Sequence, residues 1–195
     1  MIVLGITGTI ASGKSTVAAI FTNAGIPVFN ADAIVHDHYL RHPRAIVDAF
    51  PDAAQAGGVD RRRLGAIVER NASAIDRLEA IIHPIVREAA QTFLGEAERA
   101  GERLAVLEIP LLFESGSDAL CDSVLVTTAP VATREKRVAQ RGTMSAELYR
   151  RLSDRQMPEP EKLTRADFVV DTGADLGDVR RRVGDIIATL AATEG

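Results

Sequence analysis

Cysteine is almost missing from this chain. Among 195 residues only Cys121 occurs, so no intrachain disulfide can form and no cysteine-built zinc cage is possible. No apolar run approaches the ~20 residues of a membrane span. A cationic leader is also missing: Met1 passes straight into Ile2-Val3-Leu4, so no secretory signal is expected and the reduced cytoplasm is the expected address. Nor is there an excess of positive charge. With 23 basic and 27 acidic side chains the net charge is −4, too acidic for a protein that coats nucleic acid. Lysine is scarce, found only at Lys14, Lys136 and Lys162, and arginine supplies nearly all the cations. A lysine kept in such a chain invites inspection, because its compact ammonium does what a guanidinium fork does not. The rest is ordinary: 46% hydrophobic and 26% charged residues, a balance that argues against wholesale disorder and for one domain with a substantial core.

Five short, apolar, β-branched runs predict strands: Ile2 to Thr7, Ile26 to Asn30, Leu104 to Ile109, Ser123 to Thr128 and Phe168 to Asp171. Such runs suit a parallel sheet buried on both faces. Lys14 to Ala24 predicts a helix with Gly25 past its end, so the first two strands frame a βαβ unit. Between the second and third strands the chain reads as helical. Val59 to Asn71 and Ala72 to Glu98 carry apolar residues at three- and four-residue spacing, with Leu78, Ile81, Ile82 and Ile85 in one stripe and Pro84 marking a break or a helix start. Val131 to Arg155 predicts more helix, interrupted around Arg141-Gly142-Thr143, and Asp178 to Thr193 a final helix. The expected fold is α/β: a parallel five-stranded sheet flanked by helices, with a core of about 1–58, 102–130 and 165–195. A helical insertion is expected over about 59–101 and an Arg-rich helical lid over about 131–164.

Residues 8 to 15 read Gly8-Thr9-Ile10-Ala11-Ser12-Gly13-Lys14-Ser15, which satisfies GxxxxGK[ST] at every defined position. A chance match in a chain of this composition is on the order of 10⁻³, and here a predicted strand precedes the loop and a predicted helix follows it. The two glycines let successive N–H groups face a phosphate, and the helix that starts near Lys14 aims its positive end at the same anion. Lys14 would reach the terminal phosphates and the Ser15 hydroxyl would ligate Mg²⁺; Thr16 completes the nucleotide-binding run.

Ligands of parallel sheets bind where the strand carboxyl ends open into loops. Three further features belong to that edge. Asp32, just after the second strand, is placed to take the proton of an attacking hydroxyl; as a plain N-cap it would do no chemistry. Glu108 ends the third strand and is a candidate for holding Mg²⁺ through water, or else an edge carboxylate paired with arginine. Arg134, Arg137 and Arg141 share one helix face, and Arg151 and Arg155 repeat the four-residue spacing. Such a stripe is either a solvated face or a lid that clamps a moving phosphoryl group. No guanine-reading Asn/Thr-Lys-x-Asp element exists, since Lys136 and Lys162 each follow glutamate, and no Asp-Glu pair ends the third strand as in a remodelling ATPase. The residues therefore point to a small-molecule kinase and leave its acceptor open. Another kinase for a nucleoside or nucleotide, or an ATP-binding module without catalysis, remain as alternatives at that point.

Further landmarks identify a resemblance. In order they are Ile6-Thr7-Gly8, Ser12-Gly13-Lys14-Ser15, Ala31-Asp32, Ile82-His83-Pro84, Ile109-Pro110-Leu111-Leu112-Phe113-Glu114, Arg137 with Arg141, Gln156-Met157-Pro158, Glu161-Lys162, Ala166-Asp167 and Val170-Asp171. From Val3 to Gly173 the sequence resembles the dephospho-coenzyme A kinases, small-molecule kinases of the P-loop type. The resemblance implies ATP as donor, Mg²⁺ as cofactor and the ribose 3′-hydroxyl of dephospho-coenzyme A as acceptor, with no nucleic acid, membrane or obligate protein partner. It implies Asp32 as general base, Lys14, Arg137 and Arg141 as catalytic cations, and acceptor contacts from Asp32, His83, Leu112, Phe113 and Arg155. Three positions depart from the family pattern: Thr9 for a second glycine, Glu108 for aspartate, and Thr172 for asparagine.

Overall fold

Three of the apolar runs, at 2–8, 104–108 and 123–128, become strands buried on both faces, as the middle of a parallel sheet requires, while the run at 168–171 alternates between buried and exposed residues. In the computed structural model, which describes residues 1–142 and 145–192, β1 (Ile2–Gly8) leads through a loop into α1 (Lys14–Asn23). Next come β2 (Val28–Asn30), α2 (Ala31–Arg41) and α3 (Arg44–Ala49). A small hairpin of β3 (Ala54–Gln55) and β4 (Gly58–Val59) precedes α4 (Arg61–Arg70) and α5 (Ala72–Arg99). The chain then runs through β5 (Leu104–Glu108), β6 (Ser123–Thr128), α6 (Val131–Arg141) and α7 (Ala146–Arg155). It finishes with α8 (Glu159–Thr164), β7 (Phe168–Asp171) and α9 (Leu176–Ala192).

The expected five-stranded sheet is present, in the order β2-β5-β1-β6-β7. β1 lies at its centre, parallel to both neighbours, pairing Ile6 with Glu108 of β5 on one side and with Leu125 of β6 on the other. β7 continues the parallel register from β6. The carboxyl ends of β1, β5, β6 and β7 therefore line one edge, and the loops leaving them meet there.

Two compact units emerge: Met1–Phe29 with Phe93–Gly195, and Asn30–Thr92. The first contains the sheet and packs Leu4, Ile6, Val106, Leu125 and Val170 against Val17 and Phe21 of α1 and Val183 and Ile186 of α9. The second has a core of its own, built on Tyr39, Ile46, Phe50, Val59 and Leu64. It starts at Asn30, ahead of the residue 59 expected for the insertion, because α2 and α3 supply Tyr39 and Ile46 to the core that α4 also enters.

Two sequence expectations need correction. No break occurs at Pro84, since α5 continues through it. Proline forfeits one bond to the carbonyl four residues back, here that of Ala80, which is exposed and open to solvent. Leu78, Ile81 and Ile82 pack on the second unit's core and hold the helix there. Val59 is a strand residue paired with Ala54, not the start of a helix; Asp60 begins the next turn, its carboxylate accepting from Arg62 N and Arg63 N at 2.9 and 3.0 Å. Thr143, part of the expected interruption, and Thr193, the expected end of the last helix, lie outside the described residues.

Candidate active site

The loop after β1 owes its shape to three backbone positions. Gly8 has φ 152°, and a Cβ there would sit 2.4 Å from Thr127 Oγ1 and 2.5 Å from the Thr127 carbonyl, so only glycine lets the chain pass β6 this closely. Gly13 is left-handed at φ 91°, ψ 19° and is the N-cap of α1. Between them Ala11 holds φ 61°, a conformation that costs a residue with a Cβ about 1–2 kcal/mol. Left-handed turns set among right-handed ones curl the main chain into a concavity lined by N–H groups, an anion cradle. α1 begins behind it with no side-chain cap and no acidic residue in its own first turn, so the backbone N–H groups at its positive end are left for an anion.

A cation and a pair of hard oxygen donors stand at the same place. Lys14 Nζ donates to the carbonyls of Gly8 and Thr9 at 3.0 and 3.1 Å. The Ser15 hydroxyl donates to Glu108 Oε1 at 2.8 Å, and Glu108 is only 5% exposed. A hydroxyl beside a carboxylate is a pair of hard oxygen donors, which suits magnesium. Among the described residues there is no cluster of three or more His, Cys, Asp and Glu. Thr16 is exposed on the first turn of α1.

A shell of side chains holds the loop from outside. Ser12 Oγ and Thr127 Oγ1 are 2.6 Å apart. Ile10 N donates to Gln156 Oε1 at 3.0 Å. The Thr9 hydroxyl receives Arg134 Nη1 at 2.8 Å and donates to Glu159 Oε2 at 3.2 Å. Thr172 Oγ1 donates to the Ser12 carbonyl at 2.7 Å. Arg137 Nη1 donates to the Ala11 carbonyl and to Thr172 Oγ1 at 3.0 and 2.9 Å, and its Nη2 to the Thr172 carbonyl at 2.7 Å. Thr127, Gln156 and Glu159 were not read as site residues from sequence; the signal that points to them is position at an element boundary, Thr127 next to the end of β6, Gln156 just after α7 and Glu159 at the start of α8.

The other expected site residues have different surroundings. Arg141 ends α6 and Arg155 ends α7, both exposed. Leu112 is fully buried, with Cδ2 2.8 Å from where a Cβ on Gly5 would stand, and it fills the space beside β1. Phe113 is also buried, with the Arg165 guanidinium 4.2 Å above its ring. Asp32 and His83 belong to the second unit. Asp32 is exposed in the first turn of α2, whose N-cap is Asn30, with Asn30 Oδ1 accepting from Ala33 N at 2.8 Å. Asp32 therefore does not serve as the cap. Nearby, the Tyr39 phenol is held above its usual pKa, chiefly by burial; Arg61 opposes that rise and Asp32 adds to it. Arg61 Nη1 also lies 3.1 Å from His36 Nδ1. In α5 the half-buried His83 has its Nε2 shielded from solvent with no hydrogen-bond partner among the described residues.

Comparison with known proteins agrees with the sheet and the loop. Residues 2–178 match the family model described as dephospho-CoA kinase. A protein of that name from Mesorhizobium japonicum is 46% identical over 196 residues, covering 100% of both chains, and one from Nitrobacter winogradskyi is 43% identical over 192 residues, covering 98% of this chain and 96% of its own. The solved dephospho-CoA kinase of Campylobacter jejuni superposes with a TM-score of 0.72 at 28% identity, over 99% of this chain and 98% of that one.

Proposed function

The chain belongs to the dephospho-CoA kinase family, whose members carry out the last step of coenzyme A biosynthesis with ATP as donor, and from that premise we propose how its residues divide the reaction. The acceptor is the ribose 3′-hydroxyl of dephospho-coenzyme A, and attack is in line. The 3′-oxygen bonds to the γ-phosphorus, the bond from that phosphorus to the β,γ-bridging oxygen breaks, and ADP leaves with the electron pair. The hydroxyl proton passes to the Asp32 carboxylate. What carries this reading is the loop itself: a strained N–H concavity in front of a helix whose positive end no side chain caps.

Lys14 holds the β- and γ-phosphates in this proposal. Its flexible stem lets the ammonium exchange the Gly8 and Thr9 carbonyls for phosphate oxygens. Ser15 and Glu108 would hold Mg²⁺, Glu108 through water; the ion, when bound, neutralises charge on the phosphate oxygens. Arg141, exposed at the end of α6, and Arg137 are the lid cations of 131–164. The helical acceptor-binding region is α4 and α5, with Asp32, His83, Leu112, Phe113 and Arg155 as contacts. The reaction is cytoplasmic and needs no nucleic acid, membrane or protein partner. No helix of the described residues is long and apolar enough to cross a membrane.

The test is a coupled ADP-release assay with dephospho-coenzyme A, nucleoside monophosphates and pantetheine compounds offered separately. Dephospho-coenzyme A is expected to be the productive acceptor, and preference for another overturns the acceptor assignment. Asp32→Asn is expected to lower kcat by about 10²–10⁴-fold with ATP binding intact; an unchanged kcat rejects Asp32 as the base.

A further inference from the structure

We infer that Thr172 is a positioning residue for the phosphate loop, acting with Arg137 as a buttress that aims the Gly13 N–H at the donor's phosphates; this rests on the loop being the ATP site proposed above. Thr172 lies just past β7 and is 6% exposed. Its own N–H donates to the Thr128 carbonyl at 2.9 Å, so the β6–β7 ladder fixes its backbone. From that anchor its hydroxyl donates to the Ser12 carbonyl at 2.7 Å and accepts from Arg137 Nη1 at 2.9 Å.

The consequence follows from the planar trans peptide, in which C=O and N–H point opposite ways. Pinning the Ser12 carbonyl to Thr172 turns the N–H of the Ser12–Gly13 peptide, which is Gly13's, away from Thr172 and toward the loop interior. The preceding peptide is pinned in the same way. Its carbonyl, on Ala11, receives Arg137 Nη1 at 3.0 Å, and its N–H, on Ser12, donates back to the Thr9 carbonyl at 3.1 Å. Two consecutive peptide planes are thereby set by one hydroxyl and one guanidinium. Both planes flank the positions, Ala11 and Gly13, where the backbone is left-handed. Contact also enforces the arrangement, since a Cβ on Gly13 would come within 2.5 Å of Thr172 Oγ1. Left-handed backbone relaxes unless its surroundings hold it, and Thr172 with Arg137 is the restraint on this side of the loop. Thr172 touches no substrate in this assignment; it acts through the Ser12–Gly13 peptide.

Thr172→Val keeps the shape and deletes the hydroxyl, and Thr172→Ser keeps the hydroxyl and deletes the methyl. Thr172→Val is expected to raise KM for ATP about tenfold, the scale of one hydrogen bond in a charged network, with kcat at saturating ATP within about threefold. Thr172→Ser should stay near the parent KM. In a double-mutant cycle on KM, Thr172→Val with Arg137→Met should lose less than the product of the two single effects, because both residues set the same turn. An unchanged KM in Thr172→Val, or a rise in Thr172→Ser as large as in Thr172→Val, overturns the inference. If Thr172→Val unfolds too readily to assay, Thr172→Ala against Thr172→Ser isolates the hydroxyl, and equal KM values reject the idea. Lys14→Ala separates this inference from its premise. Weakened ATP binding there, beside an unaffected Thr172→Val, sinks the buttress alone; intact ATP binding in Lys14→Ala sinks the loop as donor site.

Discussion

Replacing Glu114 by glutamine tests how the segment between α7 and α8 is fastened to the loop that follows β5. Lys162 is 0% exposed, and its ammonium lies 2.8 Å from Glu114 Oε1, a side chain that keeps 17% of its surface. The same carboxylate oxygen accepts from Met157 N at 2.8 Å. Although the charges are close, Lys162 Nζ makes no well-aligned hydrogen bond among the described residues, so the attraction is Coulombic and the ammonium depends on that one carboxylate. In Glu114→Gln the amide oxygen can still receive Met157 N, but Lys162 is left as an uncompensated buried charge. Breaking a buried pair in this way costs about 3–5 kcal/mol, which for a chain of this length is a fall in Tm of roughly 6–20 °C. Lys162→Met removes the buried ammonium instead; Glu114 keeps the Met157 N–H as a donor and 17% of its side-chain surface, but its Oε2 is buried without a partner among the described residues. It should cost about 1–3 kcal/mol. The double variant removes both charges at similar volume and should lie within about 1.5 kcal/mol of the parent. Thermal and urea unfolding of all four proteins measures the cycle. A Tm within about 2 °C of the parent for Glu114→Gln, or a larger loss in Lys162→Met than in Glu114→Gln, would refute the claim that the buried ammonium depends on Glu114.

Burial raises the Cys121 thiol to about 12, with Asp118 and Asp122 adding to the rise. A raised pKa keeps the thiol protonated until far above neutrality, so at pH 8 the folded protein should resist iodoacetamide while the urea-unfolded chain reacts; equal rates in both states would contradict it. Gly13→Ala combines a left-handed φ with a clash on Thr172, and both effects disturb the turn that supplies the cradle. Its expected outcome is loss of ATP binding by fluorescent-nucleotide titration with α1 and the sheet still folded by circular dichroism. Full ATP affinity in Gly13→Ala would show that the cradle tolerates another backbone.

What was legible in the sequence is what depends on near neighbours in the chain. The phosphate loop could be read because its glycines, lysine and serine must stand at fixed offsets for one turn to close on a phosphate. The strands could be read because burial on both faces leaves unbroken β-branched runs. The support around the loop was hidden because it is made across the fold: Thr172 and Ser12 are 160 positions apart. Ala11 carries a left-handed φ that no alanine advertises. The arginine spacing located one helix face but not the division of labour along it. Arg134, one turn into α6, reaches Thr9 and the Ala129 carbonyl, Arg137 reaches Ala11 and Thr172, and Arg141 at the far end is exposed. Distance along the helix from the loop sets those three fates, and the stripe alone does not encode it.

The scarcity of lysine can now be given a physical meaning. Arg137 shows what a fork can do, its two terminal nitrogens serving three oxygens from two segments. Lys162 has one carboxylate beside it and no exposure; a guanidinium there would bury donors without partners and would need more room than an ammonium. Lys14 faces the opposite demand. It rests on two backbone carbonyls at 3.0 and 3.1 Å, bonds weak enough to be exchanged for phosphate oxygens, and a compact charge on a flexible stem can follow a group that moves during transfer. Of the three lysines only Lys136 is exposed, which leaves the other two at the places where a fork would be the wrong shape. Lys162 thus faces one fixed carboxylate, whereas Lys14 rests on backbone carbonyls at the mouth of the loop.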